Sequence, residues 1–147
     1  MTAYSTRQTE IVIDPRIPLV RIVREFDAPR DKVFRAHTDP TLFVRWNGPN
    51  GYETTMDEFD CRTGGFRGCF HEVRPSDLIV QTLTFEGIPD GVALERLVFE
   101  DLGAGRTRLT STSLVDSFEG RDEFVASGME VRVREGYERL DGLLARG

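Results

Sequence analysis

Residues 20–52 do most to limit what this chain can fold into. The stretch VRIVREFDAPRDKVFRAHTDPTLFVRWNGPNGY supplies one strand, a hard stop at Ala28-Pro29 and two short helices ending at Trp46. Leu19–Phe26 is β-branched and aromatic-rich with charges interspersed, which predicts a strand. Pro29 cannot donate a backbone hydrogen bond and suits a helix's first turn, and Asp31 adds a carboxylate at that positive end. Val33, Phe34 and His37 then share a helix face. Asp39-Pro40 starts a second helix with Asp39 as N-cap, Leu42, Phe43 and Trp46 form its apolar stripe, and Asn47-Gly48-Pro49-Asn50-Gly51 ends it.

Beyond Gly51, residues 52–61, 66–73, 78–86, 92–100 and 106–114 predict five strands. Their separators carry turn chemistry: Thr63-Gly64-Gly65, Arg74-Pro75-Ser76-Asp77, residues 87–91 and Gly103-Ala104-Gly105. Such short connections predict antiparallel hairpins, not βαβ units. Ile79, Leu83 and Phe85 share a strand face with Gln81, and Ala93, Leu97 and Phe99 share one with Glu95. A polar residue on an apolar face fits either a half-wet cavity wall or an edge position. One last helix is expected from about residues 120–122 to 144, on the spacing of Val125, Met129, Val133, Leu140 and Leu144. Gly128 and Gly136 lie on or near that stripe, where a glycine suggests a close approach by a sheet or a ligand, or tight packing alone.

Pro15 and Pro18 interrupt the first 18 residues, which are expected to form an extended arm with a short edge strand at residues 11–13. Residues 19–147 then make one domain, and a chain of 147 residues buries a sizeable core. The formal charge of −6 disfavours nucleic acid and anionic membranes as partners. No apolar run is long enough to span a bilayer and MTAYSTRQTE does not read as a signal peptide, so a cytoplasmic location is expected. Cys61 and Cys69 are the only cysteines, and both fall in strand segments where a thiol acts as a small hydrophobe.

Several segments together resemble a known family. REFDAPRDKVFRAHTDP (24–40), RWNGPNGY (45–52), DEFDCRTGG (57–65), LTFEG (83–87), GRTRLT (105–110) and SGM (127–129) occur in an order similar to that of the START-like, helix-grip (SRPBCC) superfamily. Within it, the chain resembles the group named for the activator of heat-shock-protein-90 ATPase. The resemblance implies an α+β helix-grip fold: a curved antiparallel sheet wrapped around a long C-terminal helix, with two short helices after the first strand. It also implies a container for hydrophobic ligands, in a superfamily that includes aromatic polyketide cyclases and lipid-transfer domains. Asn47 departs from the family, which usually has an aromatic there. The family also has a further strand and hairpin before the strand that begins near Phe66. Either the sheet is altered, with a parallel neighbour or a rearranged order, or a mobile hairpin is absent from the residues as given; the second reading is favoured.

No catalytic cluster stands out. His37 and His71 lack carboxylate or cysteine partners at ligand spacing, and the trio Cys61, Cys69 and His71 lacks a fourth ligand, so no metal site is expected. No serine sits in a nucleophile-elbow context, and Gly103-Ala104-Gly105 is a hairpin turn. Of the charged strand residues Arg67, Glu72, Glu95 and Arg96, most should face solvent, and one facing inward would point to function.

The favoured reading is a small protein without a cofactor that binds a hydrophobic or aromatic ligand between the sheet and the last helix. The expected wall residues are Phe34, His37, Trp46, Phe70, Leu83, Phe85, Phe99, Met129, Val133 and Tyr137. The alternatives are a cyclase, dehydratase or hydrolase acting on an aromatic or polyketide-like substrate, and a module that interacts with an Hsp90-type chaperone. A homodimer stays open.

Overall fold

The computed structural model describes residues 9–46, 66–85, 92–126 and 128–146. Strands β1 (Glu10–Ile13) and β2 (Leu19–Phe26) are followed by helices α1 (Arg30–Thr38) and α2 (Pro40–Trp46). Four strands come next, β3 (Phe66–Arg74), β4 (Leu78–Phe85), β5 (Val92–Gly103) and β6 (Arg106–Leu114), and helices α3 (Phe118–Ala126) and α4 (Met129–Arg146) close the chain. The strands form one sheet in the order β1-β2-β6-β5-β4-β3. Every described neighbour pair is antiparallel, so the parallel pairing foreseen for an altered sheet is not found among the described residues. The expected strand at 52–61, the turns at 47–51, 63–65 and 87–91, and the junction before Phe66 lie outside the described residues.

The arm contributes β1 as one edge of the sheet, and Asp14 ends it. The Asp14 carboxylate accepts hydrogen bonds from the backbone N–H groups of Arg16 (2.7 Å) and Ile17 (3.2 Å), turning the chain toward β2. Pro29 stands just outside α1 in extended conformation, and its carbonyl accepts from the Lys32 and Val33 N–H groups. Asp39 ends α1 and caps α2, its carboxylate accepting from the Thr41 N–H at 2.9 Å and the Thr41 hydroxyl at 2.7 Å. Three successive positive φ angles, at Gly103, Ala104 and Gly105, make the β5–β6 turn.

The single last helix expected from the apolar period is two helices. Gly128 adopts φ +88°, its N–H bonds to the Val125 carbonyl, and its own carbonyl accepts from the Arg132 N–H as a new helix begins. Apolar spacing continues across one left-handed residue, which is why period alone does not reveal the break. None of α3 is buried, whereas α4 turns Met129, Gly136, Tyr137, Leu140 and Leu144 inward. Together with α1 and α2, α4 covers one face of the sheet and encloses the core.

Candidate functional site

Side-chain alternation and strand register order the covered face into cross-strand rows. Phe26 stands opposite Thr107 in the first row, and Arg24, Leu109 and Phe99 line up in the next. Ile22, Ser111, Leu97 and Ile79 follow. The last full row is Val20, Ser113, Glu95, Gln81 and Phe70, one residue from each of five adjacent strands. A bulge between Phe70 and Glu72 lets β3 keep Phe70 in that row while turning Glu72 outward.

The end of this face beneath α1 and α2 is filled with rings. Phe34 meets Phe99 edge-on at 5.3 Å between centroids, and His37 meets Trp46 at 4.8 Å and Phe99 at 5.3 Å. Phe43 leans on Trp46 at 5.3 Å, Trp46 stacks on Tyr137 at 6.0 Å, and Tyr137 meets Phe26 edge-on at 5.5 Å. The Trp46 indole N–H donates to the Ala36 carbonyl at 2.8 Å, and Arg139 donates to the Trp46 carbonyl at 3.0 Å, so α1, α2 and α4 are tied at one residue. His37 Nδ1 lies 2.8 Å from the Val33 carbonyl, which fixes the proton on that nitrogen and leaves Nε2 buried without a partner among the described residues. Burial lowers its pKa to about 4, with the Val33 bond opposing, so His37 is neutral at physiological pH.

The other end is polar at its centre. The Gln81 side-chain amide donates to Glu95 Oε1 at 2.8 Å, and the Ser113 hydroxyl to Oε2 at 3.2 Å. Desolvation raises the Glu95 carboxyl above the ordinary value, and these two bonds pull it partly back. Glu95 nevertheless keeps part of its surface accessible. The Tyr137 phenol is raised chiefly by desolvation and then by the Glu95 charge, with Arg24 opposing. Arg24, buried on the same face, pairs with Asp141 of α4 and lies over the Phe26 ring at 5.0 Å. Glu95 has no ion pair among the described residues. Glu25, buried on the opposite face, contrasts with it: Arg106 and Arg108 reach its carboxylate at 2.7 and 3.6 Å.

Of the expected wall residues, Phe34, His37, Trp46, Phe99 and Tyr137 meet in the ring cluster. Met129 is fully buried in the core, and Val133 and Phe70 pack against it half-buried. Leu83 and Phe85 lie in β4 opposite Ala93 and Phe66, and their side chains lie outside the described residues. Among the charged strand residues Glu95 faces inward and Glu72 and Arg96 are exposed, while the side chain of Arg67 lies outside the described residues. Neither helical glycine meets the sheet: Gly128 sits in the break, and a Cβ on Gly136 would touch Trp46. Ser113 and Arg24 escaped the sequence reading, although Gln81 and Glu95 each drew notice as polar residues on apolar faces. What joins these residues is register, which no single strand's sequence carries.

His71 is exposed, with Nε2 3.4 Å from the Thr82 hydroxyl, and no three His, Cys, Asp or Glu residues gather among the described residues. Among them no helix is long and apolar enough to cross a membrane.

The family model described as "Activator of Hsp90 ATPase homolog 1-like protein" matches residues 27–145, which hold both short helices, Gln81, Glu95 and Ser113, and all but the last residue of α4. The chain belongs to that family. Its fold is the helix grip of the START-like (SRPBCC) superfamily, and solved structures from several bacteria are similar. A solution structure of a protein from Arthrobacter aurescens is 27% identical with a TM-score of 0.78, over 94% of this chain and 92% of that one. A crystal structure of a Rhodobacter sphaeroides protein is 24% identical with a TM-score of 0.77, over 93% and 99%. Protein Ms6760 of Mycobacterium smegmatis is 20% identical with a TM-score of 0.78, over 92% and 96%. No curated protein matches the chain.

Proposed function

We propose that the protein is a cytoplasmic carrier of a small hydrophobic ligand, held between the sheet and α4 beside the Gln81–Glu95–Ser113 row. The observation that carries this reading is Glu95 itself. Protein surrounds it closely enough to desolvate its carboxyl, yet its surface is not fully covered. A carboxylate pressed into a filled core would lose both its charge and its surface. One that keeps surface while enclosed is what the wall of a hollow requires. Apolar walls with a few fixed polar groups are the usual make-up of a small-molecule site.

Trp46 is the reporter, because it stacks on Tyr137, whose phenol senses the Glu95 charge. Titration with a panel of aromatic and acyl compounds should shift Trp46 emission saturably for at least one of them. No response from any of them contradicts the carrier reading.

Glu95 also favours a second reading, an enzyme of the cyclase, dehydratase or hydrolase type, since an enclosed acid with a raised pKa can exchange a proton with a bound carbonyl compound. Neutral His37 offers no acid at physiological pH. Turnover of such a substrate that disappears in Glu95→Gln while binding persists would establish that reading. The family's name brings a third, a chaperone module, supported by the outward-facing row Leu19, Leu114 and Leu94, of which the last two are exposed. Stimulation of an Hsp90-type ATPase, lost in Leu94→Ser, is its test.

A further inference from the structure

Glu95 differs from the other inward charge on this face. Arg24 has its counter-ion in Asp141, whereas among the described residues Glu95 has two neutral donors, the Gln81 amide and the Ser113 hydroxyl, and no cation. Each carboxylate oxygen holds one of these bonds and keeps acceptor capacity to spare. Among the described residues the groups facing it from β2 and α4 supply no free cation: Tyr137 is a neutral phenol, and Arg24 is already paired across to α4. Phe70 continues the row beyond Gln81, and Tyr137 of α4 lies close enough for its phenol to feel the Glu95 charge. An enclosed carboxyl with no counter-charge among the described residues, and with apolar rows leading away, is complementary to one ligand chemistry above others.

We infer that the ligand is an amphiphilic amine, whose protonated nitrogen seats on Glu95 within the Ser113–Glu95–Gln81 row while its apolar body lies against α4. This rests on the carrier reading and names its ligand class. The ammonium supplies the counter-ion missing among the described residues, and it donates to the carboxylate oxygens that Gln81 and Ser113 leave unsaturated. A neutral alcohol can make one such bond without the charge, and a carboxylate ligand brings like charges together.

The test uses the full chain and three probes with the same phenyl-alkyl body: 4-phenylbutylamine, 4-phenylbutan-1-ol and 4-phenylbutyrate. Affinities are read from Trp46 emission and checked by calorimetry. The amine should bind about tenfold or more tighter than the alcohol, and the carboxylate most weakly, because a charge pair in a low-dielectric site outweighs a single neutral bond. Glu95→Gln should abolish the amine's advantage over the alcohol. Glu100→Gln, an exposed change of the same charge, should preserve the amine's advantage. Equal binding of amine and alcohol, or an advantage that survives Glu95→Gln, overturns the inference while leaving the carrier reading in place. The ranking in the unsubstituted protein decides the matter even if a variant misfolds. Should none of the three bind while other members of the wider panel do, the inference falls alone; should nothing bind at all, the carrier reading falls with it.

Discussion

The two ends of the covered sheet face are built from the same strands and differ in almost every other respect. Beneath α1 and α2, Phe26, Phe34, His37, Trp46 and Phe99 fill the space with interlocking rings, and even the one histidine is held neutral. Two rows further along, Ser113, Glu95 and Gln81 cross three neighbouring strands at matched register, with an acid enclosed but not covered. One end provides the stability that lets the other carry an uncompensated polar group. A shared inner face is therefore not a uniform core: one end is closed by rings, and the other places polar groups at its centre.

If that division is right, substitutions at the two ends should differ most in stability. Phe99→Ala removes a buried ring from the filled end and should cost about 3–5 kcal/mol in urea or thermal unfolding. Glu95→Gln should cost nothing and should stabilise, because the isosteric amide ends the penalty of burying a charge. A Glu95→Gln loss as large as that of Phe99→Ala would put the two ends in one core.

Acid should act on the ends in opposite directions. His37 titrates near 6.5 when unfolded and near 4 when folded. Its neutral burial therefore favours the fold above pH 6.5, and up to about 3 kcal/mol is lost as pH falls from 6.5 toward 4. His37→Leu should flatten that slope. Glu95 has a folded pKa above its unfolded one, so its penalty is absent in acid and develops as pH rises above 4.5. The stability gained in Glu95→Gln should accordingly grow from pH 4.5 upward. A gain that shrinks over that range would mean that the carboxylate is better solvated than its surroundings suggest.

The smallest effects fall on Gly128 and Gly136. Gly136 has ordinary helical geometry with Trp46 at contact distance, so Gly136→Ala should stabilise by up to about 1 kcal/mol. Gly128 holds φ +88°, so Gly128→Ala should destabilise by about 1 kcal/mol although an added Cβ would meet only the end of the Arg132 side chain at ordinary contact distance. Thermal midpoints moving in opposite directions would verify the break between α3 and α4.

Much of the architecture was legible in local chemistry. The bounds of β2 and β6 follow from composition and turn residues, and the Asp39-Pro40 pair announces the junction between α1 and α2. The break at Gly128 was not, because a single left-handed residue leaves the apolar period of Val125, Met129 and Val133 intact. The site was half legible. Gln81 and Glu95 each interrupt an apolar face, but Ser113 in RTRLTSTSL looks like any strand serine until β6 is set against β5. The aromatic wall residues could be chosen by type alone, and five of them, Phe34, His37, Trp46, Phe99 and Tyr137, meet in the ring cluster. Type cannot distinguish a ring that closes a core from a ring that lines a hollow.

Backbone amide shift mapping during titration with 4-phenylbutylamine tests the central claim most directly. The account predicts saturable shifts centred on Gln81, Glu95, Ser113 and Tyr137, with Val33 and Leu109 at the filled end unmoved. Shifts confined to the outer row of Leu19, Leu94 and Leu114, or no saturable shift at all, would contradict it.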